Sequence, residues 1–451
     1  MSENWVDDGN VALFTDLYQL TMLQAYFHEG MADEAVFDLF VRRLGDRNYL
    51  LACGLDTILH YLETLRFSDE AVTYIESLNR FDAPFLEYLE EFRFTGSVFA
   101  MREGTPVFPD EPILEVVGPI GEAQFVETFL LNQITFQTNA ATKASRVKQA
   151  AGERVVADFG MRRMQGADAA IRAARAFHIA GLDSTSNVLA GHFLGIPVTG
   201  TMAHSYIEAH DAELAAFRAF SSIYPETILL VDTYDTLQGV RKIVEMAKDS
   251  GEAFNVSGIR LDSGDLGQLA RDSRRILDEA GLRDVMIFAS GSLDEHEIAT
   301  LIESGAPIDG FGVGTRMGTI ADQPYLDSAY KLSSYAGQPR MKLSSAKLNL
   351  PGRKQVFRKV AGGEAAGDVI AVHGEEIEGK PLLEQVMDAG RRTAAGRRSL
   401  HEAREHARRS LDSLPLRFRG IQKAEPAYGV RLSKRLEHRL DETRWRLEVR
   451  R

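Results

Sequence analysis

Between residues 154 and 320, short apolar runs alternate with helical patterns. No other feature limits the possible folds so sharply. The runs are Val155-Val-Ala-Asp158, Val198-Thr199, Ile228-Leu-Leu-Val-Asp232, Ser257-Gly-Ile-Arg-Leu-Asp262, Met286-Ile-Phe-Ala-Ser290 and Gly310-Phe-Gly-Val-Gly314. Helical spacing fills the intervals at Leu237–Asp249, Leu266–Ala280 and Glu295–Ser304. Strand, turn and helix in repetition predict parallel strands joined by helical crossovers. An open sheet needs polar strand ends only near its switch point. Here nearly every run ends in polar or small residues: Asp158-Phe-Gly160, His204, Asp232, Asp262, Ser290-Gly291 and Gly314-Thr315. A barrel brings all such ends to one face. The expected class is therefore α/β, an irregular TIM-like β/α barrel.

The flanks have another texture. Residues 11–30, 54–65, 68–80 and 121–150 carry helical spacing, and 35–42 alternates as a strand. Ser97–Met101, Thr105–Pro109 and Ile113–Gly118 read as an antiparallel unit broken by Gly, Pro and Asp. Lys354–Arg358 and Asp368–Val372 read as further antiparallel strands that could pack on it. The expected organisation is an α+β domain over 1–140, the barrel over 141–335, strands over 336–390 returning to the first domain, and a charged helical tail over 391–451. The tail's arginines are expected to form a solvated helix face.

A chain of 451 residues can build two or three such domains. Its net charge of -13 argues against binding nucleic acid or an acidic membrane, since phosphate backbones call for surplus Lys and Arg. A small anionic substrate needs only a local cation cluster. The single cysteine, Cys53, excludes an intrachain disulfide and a cysteine-built metal cage. Its apolar neighbours predict a buried thiol. The acidic N-terminus has no signal-peptide pattern, and no apolar run is long enough to span a bilayer. A cytoplasmic location is expected.

The chemistry gathers at the strand ends. His204 lies in Thr199-Gly-Thr-Met-Ala-His-Ser205, after the apolar run Val188–Val198, which is read as leading into a strand. An imidazole there can be a base, a metal ligand or a phosphoryl acceptor, or can simply cap the next helix. Asp232 can orient its ring. In Arg260-Leu-Asp-Ser-Gly-Asp265, a carboxylate suits a ribose diol or Mg²⁺, while Asp262 or Ser263 can equally cap the following helix. Ser290-Gly-Ser292 and Gly312-Val-Gly-Thr315 are turns whose N–H groups suit phosphate. Arg162, Arg163 and Arg260 supply positive charge.

Together, six segments resemble the nicotinate phosphoribosyltransferases: Thr15-Asp-Leu-Tyr-Gln-Leu-Thr-Met22, Asp158-Phe-Gly-Met-Arg-Arg163, Gly200-Thr-Met-Ala-His-Ser205, Arg260–Asp265, Gly312–Thr315 and Pro351-Gly-Arg-Lys-Gln-Val-Phe-Arg358. The resemblance runs from about Ala12 to about Glu375. It implies transfer of a phosphoribosyl group from phosphoribosyl pyrophosphate to nicotinate, with Mg²⁺ and with ATP hydrolysis coupled through a phosphohistidine at His204. Asp232 would orient that ring. Tyr18, with Asp16 beside it, would serve the substrate, Tyr18 stacking on the pyridine from the neighbouring subunit of a homodimer. Arg260, Thr201 and Arg162 would lie at the nicotinate site, and Asp262 at the ribose. Ser290, Gly291, Gly314 and Thr315 would hold phosphate, and Lys354 and Arg358 pyrophosphate or ATP phosphates. Met161 stands at a variable position of its motif, and Val41-Arg-Arg43 replaces a more usual aromatic before the arginine; neither removes a charge.

The alternatives are a nicotinamide-specific relative and a non-catalytic barrel that binds phosphorylated metabolites. A quinolinate enzyme would decarboxylate without ATP and need no His204. Asp183-Ser-Thr-Ser-Asn187 is where an amide-selective acid would be sought, and its Ser and Asn offer no anion to repel a carboxylate.

Overall fold

The computed structural model describes residues 5–343 and 349–449. The first four residues of the acidic N-terminal stretch lie outside them. The chain divides into two compact units, Met1–Asn139 with Tyr325–Arg451, and Ala140–Pro324.

In the first unit, both ends of the chain share one antiparallel sheet. Glu34–Val41 pairs on one edge with Ser328–Tyr335 and on the other with Pro112–Pro119. Ser97–Met101 joins Pro112–Pro119 to Leu383–Asp388. All residues of Glu34–Val41 but the first are buried, so this strand is covered on both faces. Helices Leu17–His28, Leu55–Thr64, Asp69–Ser77 and Ala83–Glu90 supply the apolar partners. The last two start where Ser68 and Asp82 cap free N–H groups. Ala83–Glu90 has no counterpart in the sequence reading, because at eight residues it shows barely two turns of periodicity. A four-stranded sheet follows, in the order Lys380–Pro381, Lys354–Ala361, Glu364–Val372, Val430–Leu432. Cys53 is buried, as its neighbours predict.

On the helices of the arginine-rich C-terminal segment, Arg408, Arg409 and Arg435 are exposed, as a solvated face requires, but Arg392 and Arg398, which precede the first of those helices, are engaged. Arg392 pairs with Asp56 at 2.5 Å and Glu63 at 2.9 Å, and Arg398 with Glu384. The carboxylates of the first unit draw these side chains inward.

The second unit is a parallel sheet of β1 (Val155–Asp158), β2 (Ser184–Thr185), β3 (Ile228–Leu230), β4 (Gly258–Leu261), β5 (Met286–Ser290) and β6 (Gly310–Val313). The spatial order is β2-β1-β6-β5-β4-β3. The last strand therefore pairs with the first, and consecutive strands step the same way around the sheet. Strands β2 and β3 form the two edges, and the sheet is curled. The helices are α1 (Ala167–Ile179), α2 (Val188–Leu194), α3 (His204–Glu208), α4 (Glu213–Ile223), α5 (Thr236–Ser250), α6 (Leu266–Glu279), α7 (Glu295–Glu303) and α8 (Thr315–Gly318).

One expectation fails here. The apolar run after residue 188 is helix α2, not a strand. Asn187 caps it through Ala190 N–H at 3.1 Å, and Gly195, at φ +67°, ends it. Only Val198 bridges the sheet, in parallel with Thr185. The run is apolar, yet Val188 and Phe193 are 70 % and 63 % exposed. Among the described residues, no helix is long and apolar enough to cross a membrane.

Candidate active site

Register builds the site. Leu230 lies beside Arg260, Arg260 beside Phe288, and Ser290 beside Gly312. Two residues beyond the first pairing, the C-terminal ends of β3, β4 and β5 present Asp232, Asp262 and Ser290 side by side.

The caps decide which acids are free. Asp235, Asp265 and Asp294 open α5, α6 and α7, each accepting backbone N–H groups at 2.8–3.1 Å. Asp265 is thus the cap that the sequence left open between Asp262 and Ser263, and Asp262 remains available. Asp262 faces the centre. Its Oδ1 accepts from Ser290 Oγ at 2.5 Å and from Arg260 Nη2 at 2.9 Å. Half-burial opposes its ionisation, but Ser290, Arg260 and His204 outweigh that and hold its pKa below the ordinary carboxylate value. Asp262 is an anion across the neutral range.

Arg260 is fixed on four sides. Nε donates to Ser290 Oγ at 2.9 Å, Nη1 to Thr201 Oγ1 at 2.6 Å and the Met202 carbonyl at 3.3 Å, and Nη2 to Asp262. A guanidinium has five N–H donors, so one on Nη2 is left for a ligand. The same guanidinium lies 5.7 Å from the ring centre of Phe159. Phe159 is a site residue the sequence reading passed over; its signal was its place between Asp158 and Gly160 at a strand end. Asp158 is buried, takes Gly160 N–H at 2.8 Å and the Thr185 hydroxyl at 2.7 Å, and so shapes the turn that carries Phe159. Arg162 follows on the exposed 3₁₀ turn Met161–Arg163, with no charged partner among the described residues.

His204 is the first residue of α3, and its side chain does not cap that helix. Its Nδ1 lies 3.1 Å from Thr233 Oγ1 and its Nε2 4.0 Å from Asp262 Oδ2. Asp232, the expected orienting group, does something else. Its Oδ2 accepts from the Asp262 N–H at 2.9 Å and from Ser263 Oγ at 2.7 Å. The strand register aims it at the neighbouring turn, so Thr233 holds the ring and Asp232 braces the loop bearing Asp262. Asp232 Oδ1 is buried without a hydrogen-bond partner.

Gly291 sits at φ +89°, and a Cβ there would lie 1.8 Å from the Asp262 carbonyl oxygen. Gly291→Ala is expected to cost about 2 kcal/mol or more in stability. A urea midpoint no lower than that of the parent would contradict this. Gly314 and Thr315 end the adjacent strand β6 and open α8.

The remaining predicted residues belong to the first unit. Tyr18 is 48 % exposed, and its hydroxyl donates to Glu127 Oε2 at 3.3 Å. Asp16 Oδ2 accepts from the Thr128 hydroxyl at 2.8 Å. Lys354 and Arg358 depart from the expected phosphate role. Lys354 is buried, with Nζ 2.7 Å from Asp38 and 3.7 Å from Glu115. Arg358 grips Asp368 through Nε at 3.0 Å and Nη2 at 2.6 Å, beneath Phe108 and Tyr428. Alternation along their strand turns these cations inward, where carboxylates neutralise them.

Glu115 gives this cluster a pH signature. Burial, then the nearby Asp38, pushes its pKa from 4.5 up to about 8. The folded state therefore keeps a proton that the unfolded chain releases. Stability is expected to fall as pH rises between those two values, and Glu115→Gln should flatten that slope. Urea midpoints across this range check it; an unchanged slope in the variant would contradict it.

Two family models match the chain: the nicotinate phosphoribosyltransferase N-terminal domain over residues 13–135 and the nicotinate phosphoribosyltransferase family over 155–340. A nicotinate phosphoribosyltransferase of Mycobacterium tuberculosis is 50 % identical over 426 residues, covering 94 % of this chain and 92 % of its own. The chain belongs to the nicotinate phosphoribosyltransferase family. That of Bacillus subtilis is 42 % identical, over 85 % of this chain and 80 % of its own. The human nicotinic acid phosphoribosyltransferase structure superposes with a TM-score of 0.84 at 29 % identity, covering 95 % of this chain and 99 % of that one. The family's mixed α/β architecture, with its curled parallel sheet, is that of the second unit.

Proposed function

We propose that the chain is a phosphoribosyltransferase of NAD salvage, joining nicotinate to the ribose of phosphoribosyl pyrophosphate and releasing pyrophosphate. The observation that carries this reading is Arg260, a guanidinium held in one orientation with one donor to spare beside the ring of Phe159 and the anion Asp262. An arginine fork suits the planar carboxylate of nicotinate, and Thr201 steadies it. Arg162 adds positive charge on the turn that follows β1. The phenyl face of Phe159 is suited to a flat pyridine ring. Asp262 can accept the ribose hydroxyls. Gly291, Gly314 and Thr315 offer N–H donors, and Thr315 a hydroxyl, to phosphate, beside Ser290, whose own hydroxyl is given to Asp262.

The segment Asp183–Asn187 favours nicotinate over nicotinamide. Asp183 is engaged by Lys148 at 3.2 Å and the Val156 N–H at 2.9 Å, and Asn187 caps α2. The Asp183 Oδ2 and the Asn187 Oδ1 are thus occupied within the protein. Purified protein given phosphoribosyl pyrophosphate and equal nicotinate and nicotinamide should form nicotinate mononucleotide in large excess on chromatography. Product from nicotinamide alone would overturn the specificity, and none from either would favour a binding protein.

His204 is read as the acceptor of the ATP γ-phosphoryl group, coupling ATP hydrolysis to transfer. Its Nδ1 is held by Thr233, so Nε2 attacks phosphorus, ADP leaves, and water later releases phosphate from the imidazole. Among the described residues, no group of three or more protein ligands is arranged for a metal. The unpartnered Asp232 Oδ1 and the neighbouring Asp262 nevertheless fit Mg²⁺, which typically takes one or two carboxylates and completes its shell with phosphate oxygens and water. Bound there, Mg²⁺ would offset the charge of the pyrophosphate.

We read the curled sheet as an irregular TIM-like barrel and the two units as the domains of the enzyme. We also read the protein as a cytoplasmic homodimer in which Tyr18 serves the neighbouring subunit's site. Support for the dimer comes from the exposed apolar side chains of Phe14, Leu17 and Tyr18 and of Val188, Leu189 and Phe193.

A further inference from the structure

A buried ion network ties together the two small-residue turns read above as the phosphate wall. Lys143 lies on the helix Glu127–Ala151, and its ammonium is 1 % exposed. It touches Glu295 at 2.6 Å and Asp322 at 2.8 Å. Glu295 is fully buried, is the first residue of α7, and also accepts from Arg146 Nε at 2.9 Å. Asp322 comes shortly after α8, the helix opened by Gly314 and Thr315. The neighbouring cap Asp294 takes Arg316, a residue of α8, at 3.1 Å. Burial disfavours the charged form of Asp294, but the Glu297 N–H, Lys143, the His296 N–H and Arg316 outweigh it, and its pKa lies below the ordinary value. Two cross-links thus join the start of α7, four residues after Gly291, to α8 and the residues that follow it.

Stability alone does not call for this arrangement. Burying an ammonium and a carboxylate carries a desolvation cost that apolar side chains of similar volume avoid. What ions provide is direction: a charge-assisted contact fixes the distance between the groups it joins. We propose that Lys143 is a positioning residue, which through Glu295 and Asp322 sets the spacing between the Ser290–Ser292 and Gly314–Thr315 turns for the phosphates of the phosphoribosyl donor. Lys143 itself touches no substrate. The inference rests on the phosphate role proposed for those turns.

Asp322→Asn tests it gently, since it weakens the link to the second turn and leaves the Lys143–Glu295 pair in place. The expected result is a KM for phosphoribosyl pyrophosphate raised on the order of tenfold, with the KM for nicotinate unchanged within about twofold and the melting temperature nearly unchanged. Lys143→Met should raise the same KM further, and adding Glu295→Gln to it should raise it no more, because the two act as one unit. A KM for the phosphoribosyl donor within about twofold of the parent in Asp322→Asn, or a parallel rise for nicotinate, would overturn the proposal. If the parent protein forms no product at all, it is the proposed reaction that fails. Calorimetric binding of inorganic pyrophosphate then decides the positioning role: weaker binding in Asp322→Asn sustains it, and equal binding overturns it.

Discussion

Replacing Arg260 with alanine should lower kcat/KM for nicotinate by roughly 30- to 1,000-fold, equivalent to about 2–4 kcal/mol. The loss has two sources. The substrate carboxylate loses its fixed cation. In addition, Asp262, Ser290 and Thr201 lose the guanidinium they now surround at 2.6–2.9 Å. Arg260→Lys separates the two. A lysine keeps the charge but cannot reach Ser290, Thr201 and Asp262 at once, so it should restore part of the activity and not all. Steady-state kinetics with nicotinate varied at saturating phosphoribosyl pyrophosphate gives the answer. An unchanged KM for nicotinate in Arg260→Ala would remove Arg260 from the nicotinate site.

The second large effect is expected at His204. Alanine there should abolish the stimulation of turnover by ATP while leaving weak, ATP-independent transfer. The imidazole is 38 % exposed, held on one nitrogen by Thr233, with the other 4.0 Å from Asp262. That suits an acceptor that must meet a nucleotide and later water. It is less suited to the core of the transfer step, where Arg260, Asp262 and Ser290 form the tight cluster. Full ATP-stimulated turnover in the variant would rule out the phosphoryl-acceptor role.

Much of this site could be read from the chain because its signals are local. A strand end followed by a small-residue turn and an Asp cap places Asp262, Ser290 and Gly291 without knowledge of distant partners, and the glycine turn after β6 places Gly314. The partner of His204 was hidden. Whether Asp232 or Thr233 meets the ring depends on the register of β3 against β4 and on the path of the loop before α3, and neither is encoded nearby. Lys354 and Arg358 show the same limit from the other side. Alternation along a strand says that they face one way, but not that Asp38, Glu115 and Asp368 wait there. Helix α2 misled for a different reason. Exposed apolar residues and buried ones look alike in a sequence, and two glycines with a proline suggested an interrupted strand. The capping role of Asn187 was the available sign of a helix.

The most direct measurement of the account is the phosphorylation state of His204 after incubation with γ-labelled ATP and Mg²⁺. Peptide mass analysis at neutral to alkaline pH preserves a phosphoimidazole. The account predicts an acid-labile phosphate on the peptide bearing His204, discharged when nicotinate and phosphoribosyl pyrophosphate are added and absent from His204→Ala. A parent protein that forms nicotinate mononucleotide faster with ATP but carries no phosphate on His204 would contradict it.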